Sequence, residues 1–175
     1  MEMTKLKVFA ITMVSLCLAA ASAAAASEAQ THIKASNKDN SIVVTADIET
    51  PAGYEGPVTS IGEDTTYFED VETGKWASFT CITYMSAEEM EKAYDEENGD
   101  NIIPETTHSV KEASEAALNG TKGSKRSVET LNPVTNKMEH TIVGIFPKGD
   151  GCLVVKTSAP DAEYEQILAC VKNFK

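Results

Sequence analysis

Two stretches near the C-terminus, residues 138–146 and 152–158, constrain this chain more than anything else in it. Their apolar side chains fall at consecutive positions: Ile142, Val143, Ile145 and Phe146 in the first, Leu153, Val154 and Val155 in the second. A strand sends successive side chains to opposite faces, so strands with no polar face must be covered on both sides. Lys148-Gly149-Asp150-Gly151 between them is turn chemistry, which makes the two strands antiparallel neighbours at the centre of a sheet. A third strand over 124–131, joined through Asn132-Pro133-Val134-Thr135-Asn136, completes a meander.

The rest of the chain is read around that sheet. Residues 41–50 alternate, with Ile42, Val44, Ala46 and Ile48 on one side and Val43, Thr45, Asp47 and Glu49 on the other, the pattern of a half-buried strand. Turn residues follow from Pro51 to Pro57, then strands over 65–70 and 75–85 around Glu72-Thr73-Gly74 form a hairpin. Ser86-Ala87-Glu88-Glu89 is a capping box opening a helix to about residue 97. Val110, Ala113, Ala117 and Leu118 fit a second helix from about Ser109. Pro160-Asp161 begins a third, with Ile167, Leu168, Val171 and Phe174 as its apolar stripe. Residues 27–40 are polar and read as a loose lead-in. The expectation is one α+β domain over 27–175, an antiparallel β-sheet with helices on both faces in an α/β/α sandwich.

Residues 1–26 are set apart from the fold. Lys5 and Lys7, an apolar run from Val8 to Leu18 and an Ala/Ser tract to Ala26 make a secretory signal peptide of bacterial style. The strongly apolar part is half of what a membrane span of ~20 residues needs, so no stable membrane anchor is expected after cleavage. Cys17 is read as an ordinary residue of that run, because Leu16 before it is not the small residue a lipidation site wants. The chain carries 15 basic and 27 acidic residues, net −12, which argues against nucleic acid as a partner. The exported protein is expected in the periplasm or outside the cell.

With those elements in place, their order resembles the PsbP-like superfamily. The residues that carry the resemblance are the Pro51-Ala52-Gly53-Tyr54 turn after the first strand and the closing Tyr164-Glu165-Gln166-Ile167-Leu168-Ala169-Cys170-Val171-Lys172-Asn173-Phe174. Members include an extrinsic photosystem subunit, a nuclear-transport factor that binds a small GTPase, and bacterial envelope proteins. The resemblance spans nearly all of 27–175 and implies a non-enzymatic binding or accessory module. No family site residue matches a motif here, so none is carried over.

Chemistry-bearing groups are sparse. His32, His108 and His140 are the only histidines, and none has a second ligand at metal spacing, so neither metal nor cofactor is expected. The acidic run from Asp95 to Asp100 places Gly99 fifth rather than sixth and reads as a solvated helix end, not a Ca²⁺ loop. Lys122, Lys125 and Arg126 form the one basic cluster, a candidate anion site or simply a charged edge. No catalytic residues are assigned. The partner-binding candidates are Trp76, Tyr84, Tyr54 and Tyr67: Trp76 is the only tryptophan, and it lies on the strand face opposite the core-forming Phe79, Cys81 and Met85. The alternative places Trp76 in the core beneath the second helix. Cys152 and Cys170 are a candidate disulfide on crude separation along strand and helix, with buried free thiols as the other reading and Cys81 inside in both.

Three functions remain open on these residues. The first is an exported, non-enzymatic binding or accessory protein of the bacterial cell envelope, acting on an envelope protein or a small ligand. The second is a small secreted hydrolase with a dispersed site, needing His140 or His108 beside a carboxylate in a cavity. The third is an inhibitor of a basic partner protein.

Overall fold

The computed structural model describes residues 30–96, 108–132 and 137–175, so residues 1–26, the signal peptide read from the sequence, lie outside it. The two-faced apolar segments lie where their pattern requires. They form β8 (Lys137–Lys148) and β9 (Gly151–Thr157), adjacent in a seven-stranded antiparallel sheet. Its other strands are β3 (Glu55–Thr59), β4 (Thr65–Asp70), β5 (Lys75–Ile82), β6 (His108–Leu118) and β7 (Thr121–Asn132), in the order β3-β4-β5-β9-β8-β7-β6. A second, three-stranded sheet has the order β1-β2-β10, from β1 (Gln30–Ser36), β2 (Val43–Glu49) and β10 (Val171–Phe174).

The alternation of β8 and β9 divides the core into two layers. Ile142, Phe146, Leu153 and Val155 point to one face together with Phe68, Ala77, Phe79 and Cys81. That inner face is covered by Ile33, Val44, Ala46, Ile48 and Val171 of the small sheet and by Tyr164, Ile167 and Leu168 of a helix over Asp161–Leu168. Val143, Ile145, Cys152 and Val154 point the other way, with Val128 and Ile82, and are covered by Met90 and Tyr94 of the helix Ala87–Asp95. In chain order these helices are α1 (Ala87–Asp95) and α2 (Asp161–Leu168). The capping box forms as the sequence requires: the Glu89 N–H donates to Ser86 Oγ at 3.2 Å and the Ser86 N–H to Glu89 Oε2 at 2.8 Å. Such a cap contributes about 1 kcal/mol.

The architecture is α+β, but it is not a sandwich with helices on both faces, because most of the inner face is covered by a second sheet. The predicted second helix is a strand. Asn119 and Gly120, at φ 50° and 82°, make the two-residue turn of a β-hairpin, and β6 pairs with β7 from Leu118↔Thr121 outward. Asn-Gly is among the strongest local hairpin signals, and here it overrides the helical spacing and propensity of the alanine-rich segment. The last helix likewise stops at Leu168, and Val171–Phe174 leaves it to pair with β2. Part of the lead-in is ordered as well, since residues 30–36 form β1 along β2.

The Cys152–Cys170 bond is not formed: Cys81, Cys152 and Cys170 are free thiols. Cys152 points from β9 to the α1 face, whereas Cys170 packs against the inner layer, so the sheet stands between them. Alkylation in denaturant without reductant, followed by peptide mapping, is expected to label all three. A protected Cys152–Cys170 pair would contradict the placement.

Among the described residues no helix is long and apolar enough to cross a membrane.

Candidate functional site

α1 covers the outer face over Val128, Val143, Ile145, Val154 and the Ile82 end of β5, whereas the Trp76 end of β5 and the neighbouring outer face of β3 and β4 have no residue in that cluster. Trp76 and Tyr67 occupy that part of the face. Phe68 and Ala77, directly paired, point inward, so the residues beside them, Tyr67 and Trp76, point outward. Their rings stack across the strands with centroids 6.2 Å apart and planes at 24°, a diagonal cross-strand pair. The Trp76 backbone is pinned on its other edge. Its N–H donates to Ser158 Oγ at 2.9 Å, and its carbonyl accepts from Thr157 Oγ1 at 2.7 Å and from the Ser158 N–H at 3.0 Å. Both rings are partly buried, so Trp76 is neither a core residue nor a free one, and the helix expected to bury it is β6 at the far edge of the sheet.

The rows of this face follow from the register. Trp76 pairs with Glu69, which pairs with Glu55 on β3. Tyr67 pairs with Val58 on one side and Ser78 on the other, and Ser78 pairs with Lys156 of β9. Burial first, and then the Glu69 carboxylate, raise the Tyr67 hydroxyl above its ordinary value. Glu55 and Glu69 are exposed, as is Val58.

The other two aromatic candidates do not join this group. Tyr54 packs against the inner layer, where burial raises its hydroxyl and that oxygen makes no hydrogen bond of normal geometry although Thr157 is close. Tyr84 lies beyond the opposite end of β5, is 77% exposed, and separates two hollows. One, of about 410 Å³, is lined by Lys34, Ser36, Glu63, Asp64 and Thr83. The second, of about 250 Å³, runs along α1 past Met85, Glu89 and Lys92. Nothing in the sequence flagged the larger hollow, which arises where loop 60–64 bridges the sheets: Lys34 N–H donates to Glu63 O at 2.9 Å and Cys81 N–H to Asp64 O at 2.8 Å. Cys81 lines it too, but burial pushes its thiol up to about 12, which leaves no thiolate nucleophile near neutral pH.

Two members of the basic cluster are engaged with carboxylates. Arg126 is buried and grips Asp95 of α1 with two hydrogen bonds, Nε to Oδ1 at 2.8 Å and Nη2 to Oδ2 at 2.9 Å. Lys125 reaches Asp161 at 2.8 Å and lies 5.5 Å from the Tyr164 ring centre. The basic cluster therefore docks both helices and is not an anion site; only Lys122 points free. His140 is exposed, and the His108 side chain lies outside what is described. Among the described residues His32 meets a carboxylate, with Nδ1 2.6 Å from Asp47 Oδ1 on the solvent side of the small sheet. Asp47 also accepts from Asn173 Nδ2 at 2.7 Å, and His32 first among its neighbours lowers its carboxyl. The trio ties β1, β2 and β10 together. Among the described residues no group of His, Cys, Asp or Glu could hold a metal ion.

The sequence matches no protein family and no curated protein. Among solved structures it is similar to the solution structure of cyanobacterial PsbP (CyanoP) from Synechocystis sp. PCC 6803, at 10% identity and a TM-score of 0.47, over 82% of this chain and 89% of that one.

Proposed function

We propose that this chain is an exported, non-enzymatic binding or accessory protein of the bacterial cell envelope, and that its binding surface is the outer face of β4 and β5. The observation that carries this reading is the Tyr67–Trp76 stack, partly buried on the part of the outer sheet face that lies outside the cluster under α1. Aromatic anchors of this kind dominate the energetics of protein interfaces. The leader-like residues 1–26 support export. The lack of a paired nucleophile and base among the described residues favours binding over hydrolysis: the His32–Asp47 contact has a largely exposed imidazole and lines neither of the two hollows beside Tyr84.

The test uses protein recovered from the envelope fraction, whose intact mass is expected to begin at Ser27 or Ala24. Adding envelope extract is expected to shift the emission of Trp76, the sole tryptophan. Trp76→Ala and Tyr67→Ala should reduce recovery of the bound material with little loss of stability, whereas Tyr84→Ala should not. Unchanged recovery with both variants, or loss only with Tyr84→Ala, would move the site away from this face.

A further inference from the structure

We propose that the Trp76 face receives a basic protein segment, with a lysine or arginine head seated against the indole beside the carboxylates of Glu69 and Glu55. This rests on the reading of that face as a binding surface and adds the chemistry of what binds there.

The charge arrangement is the first support. Glu55, Glu69 and Trp76 form one cross-strand row, Glu55↔Glu69↔Trp76. Like charges directly opposite each other weaken a sheet, and among the described residues no lysine, arginine or histidine pairs with either glutamate. The nearest basic groups are committed elsewhere. Lys75 gives its hydrogen bonds to the Glu163 carboxylate at 2.8 and 3.0 Å, and Lys156 lies 5.7 Å from the Tyr94 ring centre at the end of α1. The row thus has an unneutralised anionic pair where an incoming cation would relieve a repulsion.

The aromatic arrangement is the second. Tyr67 stacks on one side of Trp76, and a cation over the remaining indole surface is attracted by the ring quadrupole, tryptophan being the strongest of the aromatic residues in this respect. A cation placed there meets ring and carboxylate together. The net charge of −12 steers such a partner toward the molecule at long range.

The shape of the site selects a protein segment over a small free cation. Small ligands are taken up in hollows of several hundred Å³ that enclose most of their surface; the two hollows described above lie beside Tyr84, at the other end of β5, and neither is lined by Trp76, Tyr67, Glu69 or Glu55. Docking would occur on the face and not by adding a strand. The edge strand β3 is five residues long, lacks an N–H at Pro57, and breaks register between Glu55 and Val58, features that discourage strand addition.

The sole tryptophan reports directly on this contact. Titration with capped hexaarginine and hexalysine at low salt is expected to change Trp76 emission saturably, while hexaglutamate and tetramethylammonium leave it unchanged. Glu69→Gln should weaken hexaarginine about tenfold, the scale of one charge-assisted contact. It removes a repulsion, so it should fold at least as well as the parent. Glu165→Gln, an exposed charge on α2, changes net charge equally and should have less than a twofold effect. Equal weakening by both variants would mean that the peptides respond only to overall charge, and a tetramethylammonium response as strong as hexaarginine's would mean a free-cation site. Either overturns the proposal. If neither basic peptide moves the emission but envelope extract does, the binding face stands and its cationic chemistry falls; if extract fails as well, both fall.

Discussion

Gly144→Ala is expected to cost this protein about 3 kcal/mol or more, at the upper end of what overpacking a core does. Gly144 lies in the middle of β8, paired with Lys125 of β7 on one side and Val155 of β9 on the other. A Cβ added there would stand 2.0 Å from the Tyr164 hydroxyl oxygen, 2.9 Å from Phe146 Cε2 and 3.2 Å from Tyr164 Cζ. Its backbone needs no left-handed conformation, so the penalty is purely steric. Neither neighbour can yield cheaply. Tyr164 and Phe146 are fully buried, Tyr164 is carried by α2, and the strand cannot shift without breaking ladders on both edges. The contact also explains why a tyrosine hydroxyl is buried there without a partner: its ring fills the space that the missing side chain leaves. Burial is accordingly the main cause that pushes its ionisation upward.

A double-mutant cycle separates this mechanism from a general intolerance of the strand. Tyr164→Phe alone should be close to neutral, since it removes an oxygen that has no hydrogen bond. In the Gly144→Ala background it should restore more than about 1 kcal/mol, because the 2.0 Å clash is with that oxygen while the ring contacts persist. Urea denaturation of the four proteins measures the cycle. Additive effects, or a Gly144→Ala variant within 0.5 kcal/mol of the parent, where surface substitutions fall, would show that the two residues do not meet as described.

What the sequence revealed and what it hid follow from the range of the forces involved. β8, β9 and the capped α1 were legible because their signals are local: two-sided apolarity within one strand, and Ser86 three residues before Glu89. β6 was misread because alanine and glutamate at helical spacing are a weak preference, whereas its partner strand contributes a full ladder of hydrogen bonds. The Asn119-Gly120 turn was the available hairpin signal. β1 carries little pattern of its own, since Ile33 is its one fully buried residue, and the four-residue β10 is held by β2, more than 120 residues away. The four aromatic candidates divided for the same reason. Tyr67 and Trp76 share a hairpin, so turn geometry brings them together, whereas Tyr54 and Tyr84 depend on which layer covers which face.

Arg126→Ala should release α1 from the sheet while leaving the rest of the fold in place. The guanidinium side chain is 5% exposed and holds Asp95 through two bonds, Ser124 Oγ at 2.6 Å, and Glu91 at 3.7 Å; Ser124 in turn donates to Glu91 at 2.7 Å. α1 has nine residues, too few to persist alone in water, so its helicity depends on this network and on Met90 and Tyr94. Asp95 is 50% exposed, and on losing its partner it rehydrates rather than remaining a stranded charge. The expected cost is therefore about 2 kcal/mol, below the 3–5 of a fully buried pair. Amide exchange should quicken across α1 much more than across β8 and β9. The pH dependence has a definite sign. Arg126, by hydrogen bond and charge, holds Asp95 below its ordinary 3.8, so the stabilisation is complete above the unfolded value and is lost as pH falls through the lowered folded one. The stability gap between parent and Arg126→Ala should be largest near pH 7 and narrow progressively below about pH 4. A gap that stays constant down to pH 2, or exchange that quickens equally in α1 and the central strands, would show that Arg126 acts by filling space in the sheet and not by holding the helix to it.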